Sequence, residues 1–144
     1  MRYLNLLLIT FFLTGCSTIN EKGFGYLENK TAETAKTLTD DKNRTGLIEN
    51  EKVAGNAYFY ILSDKGRVIY HPEKALTDND FSRFGFVRTI MSEKNGCIKV
   101  NMGNMSRIII FRETADGGIL CLTAASDGVD GSEKCSIYNH EGTK

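Results

Sequence analysis

The chain of 144 residues carries two histidines, His71 and His140, and neither has a pair of acids or cysteines beside it at metal-ligand spacing. An enzyme of this length needs a nucleophile with its base, a metal cluster or a phosphate-binding loop, and none can be read from the residues. The run Asp127-Gly128-Val129-Asp130-Gly131-Ser132-Glu133 is similar to a calcium loop only in its acids and glycines. It lacks the alternating oxygen ligands over twelve residues that calcium requires, and reads as a solvated acidic turn. No cofactor, no metal and no catalysis is therefore expected. The 18 basic and 18 acidic residues are interspersed, so neither a nucleic-acid surface nor a strongly acidic substrate is expected.

The remaining reactive side chains are the four cysteines, Cys16, Cys97, Cys121 and Cys135. Cys16 closes Leu13-Thr14-Gly15-Cys16, which follows a basic Arg2 and an apolar run from Tyr3 to Leu13. That run is shorter than the roughly 20 residues a membrane-spanning helix needs, so 1–15 reads as an export signal. Its end resembles a bacterial lipobox, which implies cleavage before Cys16 and acylation of that cysteine, for instance by palmitate. Each buried methylene contributes about 0.8 kcal/mol, so several acyl chains would hold the protein firmly on a membrane. Ser17 is similar to an outer-membrane sorting signal of enteric bacteria. Cleavage removes Arg2 and no acidic residue, leaving a formal charge of −1, too small to steer a partner.

Between the anchor and the fold, 16–30 is polar and reads as a tether. Ala32, Ala35 and Leu38 share one helical face over 31–42, with Thr31 as its N-cap, and 47–54 is compatible with a second short helix. Partial disorder over 17–45 is the alternative. The aromatic stretch Tyr58-Phe59-Tyr60-Ile61-Leu62 predicts a strand over 57–62, and 67–71 a second. Ser63-Asp64-Lys65-Gly66 supplies the turn, and Pro72, with no N–H to donate, stops the second strand. Thr77 to Asp80 can cap a helix carrying Phe81, Phe84, Val87, Arg88 and Met91. Three further strands are expected at 97–102, 107–112 and 119–124, joined at Gly103-Asn104 and Asp116-Gly117-Gly118. Five strands with helices on one face and an end make an α+β plan. The remaining 125–144 is a polar tail with one apolar island at Ile137-Tyr138.

The aromatic strand, the Asp64-Lys65-Gly66 turn, the apolar strand and the terminal His71-Pro72 resemble the central hairpin of Cache domains, the PAS-like extracellular sensory modules of bacterial receptors. The resemblance covers roughly residues 50 to 124 and departs at Ser63, where family members often carry Asp. It implies a five-stranded antiparallel sheet, an N-terminal helix, a helix after the second strand, and a domain over 31–124. A ligand pocket in such folds lies on the sheet's inner face. Tyr58 and Tyr60 are then candidates for its floor, with Tyr70 or His71 beside them, since neighbours point to opposite sides. An arginine, Arg107 or Arg112, is expected to hold a carboxylate, as Cache domains often bind organic acids or amino acids. For each tyrosine, core packing is the competing role, and for His71 a structural hydrogen bond at the strand end. In PAS-like order the strands bearing Cys97 and Cys121 are separated by a third, which leaves Cys121–Cys135 as the preferred pair. Three reduced thiols are the alternative. With one anchor and no second membrane element in the sequence, such a domain would pass its state to a partner receptor or another envelope protein. The alternative function is a structural or interaction lipoprotein with a filled core and no ligand.

Overall fold

The computed structural model of the protein describes residues 23–38, 44–51, 53 and 55–138. Cys16, the first part of the tether and His140 lie outside them. Six strands make one sheet: β1 (Tyr58–Leu62), β2 (Val68–Tyr70), β3 (Gly96–Met102), β4 (Met105–Glu113), β5 (Ile119–Ala125) and β6 (Ser136–Tyr138). Their order is β2-β1-β5-β4-β3-β6, with every pairing antiparallel except β3 with β6. The helices expected on one face and an end instead cover both faces of β4 and β5, which is why these strands are near-continuous apolar runs. On one face Ile108, Ile110, Leu120 and Leu122 meet helix α1 (Phe24–Thr37). On the other, Ile109, Phe111, Ile119 and Cys121 meet Val87 and Ile90 of helix α3 (Gly85–Glu93).

Helix α1 starts at Phe24, seven residues before the N-cap expected at Thr31. Gly23 offers no side chain to cap it; instead the Phe24 N–H donates to the carbonyl of Asp130 at 2.8 Å, so the loop after β5 supplies the cap. Phe24, Leu27, Thr31, Thr34 and Ala35 form its buried stripe. Thr31 is inside the helix, fully buried, its hydroxyl satisfied by the Leu27 carbonyl at 2.7 Å. A second helix, α2 (Arg44–Glu49), follows, and Lys30 of α1 pairs with Glu51 just beyond it.

The expected tail joins the sheet. Two 3-10 turns, at Ser126–Gly128 and Ser132–Lys134, carry the chain across to the edge of β3, where Ser136, Ile137 and Tyr138 pair with Ile98, Lys99 and Val100. The sixth strand occupies backbone groups that β3 would otherwise leave open. Its pattern is too short to read, since Ile137 remains exposed. This strand also overturns the expected disulfide. The bridge is Cys97–Cys135, with Cα atoms 4.8 Å apart, while Cys121 is a buried free thiol. The expected separation of the strands bearing Cys97 and Cys121 holds, because β4 lies between them. Cys135, however, arrives on the far side of β3 and not beside β5.

The helix expected from about residue 81 begins only at Gly85. Residues 77–81 instead follow the open edge of β2: the Asp78 N–H donates to the Val68 carbonyl at 2.8 Å, Val68 to Asn79 at 2.9 Å, and Phe81 to Gly66 at 2.9 Å. Those backbone bonds outcompete helix initiation. They hold 72–84 as a strap across the sheet, from which Phe81 and Phe84 hang.

Candidate ligand site

Between the strap and the sheet face that bears Tyr58 and Tyr60 lies a hollow of about 270 Å³. Its floor is Tyr58 and Tyr60 from β1, Arg107 and Ile109 from β4, and Thr123 from β5; its roof is Leu76, Phe81, Phe84 and Phe86. Strand alternation puts Tyr58 and Tyr60 on one face, and the pairing Tyr58↔Thr123 brings β5 alongside. His71 and Met102 complete the lining, and Tyr70 is not part of it. Ile61 opposes Tyr70 while its neighbour Leu62 opposes Val68, so β2 spends one extra residue between two successive partners. This β-bulge reverses the alternation. Tyr70 consequently packs on the α1 side, which corrects its candidacy, and His71 turns toward the hollow.

Arg107 is the polar centre. Its Nε donates to Thr123 Oγ1 at 2.9 Å, and its guanidinium carbon stands 5.3 Å from the centre of the Tyr58 ring. Its Nη2 is buried and has no hydrogen-bond partner. A buried donor on a charged group, stripped of water and left unpaired, is costly. Arg112, the other arginine considered from sequence, faces α1 and pairs with Glu28 at 3.0 Å.

The His71 ring lies 5.3 Å from that of Tyr58 and 5.8 Å from that of Tyr60. Its Nδ1 accepts the N–H of Glu73 at 2.9 Å, so the neutral ring carries its proton on Nε2. Burial lowers its pKa from 6.5, against the opposing influence of Glu73. Burial also holds the Tyr60 hydroxyl well above its ordinary range and pushes the adjacent Cys121 thiol up to about 12. Cys121 is thus a packed, unreactive thiol. Among the described residues no three His, Cys, Asp or Glu side chains are grouped to hold a metal.

The aromatic roof and Thr123 escaped the residue-level reading. Phe81 and Phe84 were legible as a sheet-covering surface, although on a helix, and Thr123 as the one hydroxyl within the apolar run 119–124. A second hollow, of about 410 Å³, adjoins the first across Phe84, Phe86 and Met102 and is bounded by Arg83, Arg88 and Tyr138. Arg88 is already committed there, its Nη1 donating to the carbonyls of Ser82 and Arg83 at 3.3 and 2.7 Å.

An N-terminal helix laid on a mostly antiparallel sheet is an α+β fold that resembles extracellular sensor domains of the Cache type. Solved structures of such domains superpose on it. The ligand-binding domain of Mlp24, determined with asparagine, superposes with a TM-score of 0.50 at 12% identity, covering 61% of this chain and 36% of that one. The extracellular domain of mmHK1S-Z2, described as a histidine kinase, gives 0.52 at 14% identity over 58% of this chain and 36% of its own. That of mmHK1S-Z3 gives 0.52 at 12%, over 60% and 36%. The matched part of each domain is little more than a third of its length. No family model matches the sequence, and no curated protein does.

Proposed function

We propose that this chain is an exported, lipid-anchored binding domain that takes up a small organic acid or amino acid without transforming it and relays the occupied state to a partner receptor or envelope protein. One observation carries the reading: Arg107, whose buried Nη2 has no hydrogen-bond partner, lines a hollow together with Tyr58, Tyr60 and His71. A bound carboxylate would pair with the guanidinium through charge-assisted hydrogen bonds, the kind of contact for which arginine is suited. The similar fold of a domain determined with asparagine supports a small-molecule ligand. A disulfide at Cys97–Cys135 supports an oxidising compartment outside the cytoplasm. The lipobox-like Cys16 supports an anchor in the bacterial envelope, with the outer membrane favoured by Ser17.

The test is a thermal-shift screen of organic acids, amino acids and amines on the full chain in detergent. A ligand present at a hundred times its Kd stabilises the folded state by about 2.7 kcal/mol, a readily measured upward shift. Stabilisation by none of them would end the ligand reading. Labelled palmitate should enter the wild-type chain made in cells and not the Cys16→Ser chain; equal incorporation would end the anchor.

A second reading, an envelope lipoprotein with a filled interior, draws on the size of the hollow. Its 270 Å³ falls just below the roughly 300–1,000 Å³ of small-molecule sites. The same screen separates the two.

A further inference from the structure

The geometry points to a small monocarboxylate with an apolar body and no ammonium group as the occupant of the hollow beneath the strap. This rests on the ligand-binding reading above and narrows it. Among the described residues of the lining, Arg107 is the one permanent charge, and there is neither an Asp nor a Glu. The strap's three acids, Glu73, Asp78 and Asp80, are exposed and stand outside the lining, Glu73 beside His71 at its mouth; Asp80 uses Oδ1 to accept the Ser82 N–H at 2.9 Å. An amino acid would therefore satisfy Arg107 with its carboxylate while burying an ammonium that meets no anion within the lining, close to a fixed positive charge. Ring faces can attract a cation, but Tyr58 already stands against Arg107.

The remaining lining fits an apolar body. Leu76, Phe81, Phe84, Met102 and Ile109 line the rest of the space around Arg107, and a small hollow admits few heavy atoms. His71 supplies the second donor, since its Nδ1 is occupied by the Glu73 N–H and its proton sits on Nε2. One cationic fork, one neutral donor and apolar walls describe the carboxylate end and the hydrocarbon end of a single short acid.

Matched pairs that differ only in the α-ammonium test this directly. Propionate against alanine, and isovalerate against valine, are titrated calorimetrically into the full chain in detergent. Each acid is expected to bind at least about tenfold tighter than its amino acid, the scale on which a site rejects a group it leaves unpaired. Isoamyl alcohol, with isovalerate's carbon skeleton and no carboxylate, should bind at least about tenfold more weakly than isovalerate. That comparison requires no variant to fold. Arg107→Gln should abolish acid binding, whereas Arg112→Gln, the same charge change on the opposite face, should preserve it.

Equal or tighter binding of alanine and valine overturns the inference and leaves the ligand reading standing. Equal binding of the alcohol overturns the role of Arg107. Silence of all probes alongside a hit elsewhere in the metabolite screen removes the inference alone, and silence in both removes the reading with it.

Discussion

Replacing Cys97 by serine cuts the one covalent link between β3 and β6 found among the described residues. Cys97 and Cys135 are 38 residues apart in sequence, and closing a loop of that size in the unfolded chain corresponds to about 4 kcal/mol at 25 °C. Domains of this size are stable by roughly 5–15 kcal/mol, so the bridge accounts for a large part of the total. Little else secures β6: it has three residues, its Ile137 is exposed, and its main ring contact is Tyr138 against Phe86 at 6.4 Å. With a urea slope of about 2 kcal/mol per molar, Cys97→Ser should lower the unfolding midpoint by about 2 M. Reduction of the wild type should lower it similarly. Intact mass gives the pairing independently: reduction adds two hydrogens to the wild type and to Cys121→Ser, and none to Cys97→Ser. A wild-type mass unchanged by reduction, or a Cys97→Ser midpoint within about 0.3 M of wild type on that same slope, refutes the reasoning.

Other perturbations test the hairpin and the two sheet faces. His71 has a lowered pKa when folded, so the unfolded chain takes up its proton first; its contribution to stability is present above the unfolded value of 6.5 and is lost as pH falls below it. Melting temperatures from pH 7.5 to 5.5 should fall less steeply for His71→Gln than for wild type, and parallel curves would count against this. Gly66 sits at φ +80° in the hairpin turn, where an added Cβ would lie 2.7 Å from Met91 Sδ and 3.1 Å from the Ser82 backbone. Gly66→Ala should therefore cost about 1–3 kcal/mol in thermal or urea unfolding, and a neutral result would mean the turn adopts another conformation. Arg112 and Glu28 are both partly exposed, so Arg112→Gln should cost less than about 1 kcal/mol; a larger loss in urea unfolding would show the pair to be buried in solution.

The strands were legible where local chemistry and burial agree. Tyr58 to Leu62 and the turn to Gly66 announce a hairpin, and the isoleucine and leucine runs announce β4 and β5, though not that helices cover both their faces. The start of α1 was not legible, because its cap is the Asp130 carbonyl from the far end of the chain. The form of the strap was hidden for a similar reason. Phe81 to Met91 has helical spacing throughout, but residues 77–81 bond to the β2 edge first.

The candidate site divides along the same line. Tyr58 and Tyr60 share a face through the period of a strand, and Arg107 was one of two arginines of opposite parity, both visible in the residues themselves. Which of Tyr70 and His71 turns inward, which arginine meets the hollow, and which cysteine meets Cys135 were decided by one bulge, one sheet order and one edge strand. Side-chain alternation and turn chemistry act over a few neighbouring residues, so the amino-acid sequence alone determined the hairpin, the central strands and the α+β plan. Register, bulges and strand order are set by backbone groups distant in sequence competing for the same partners, and only the folded chain resolves that competition.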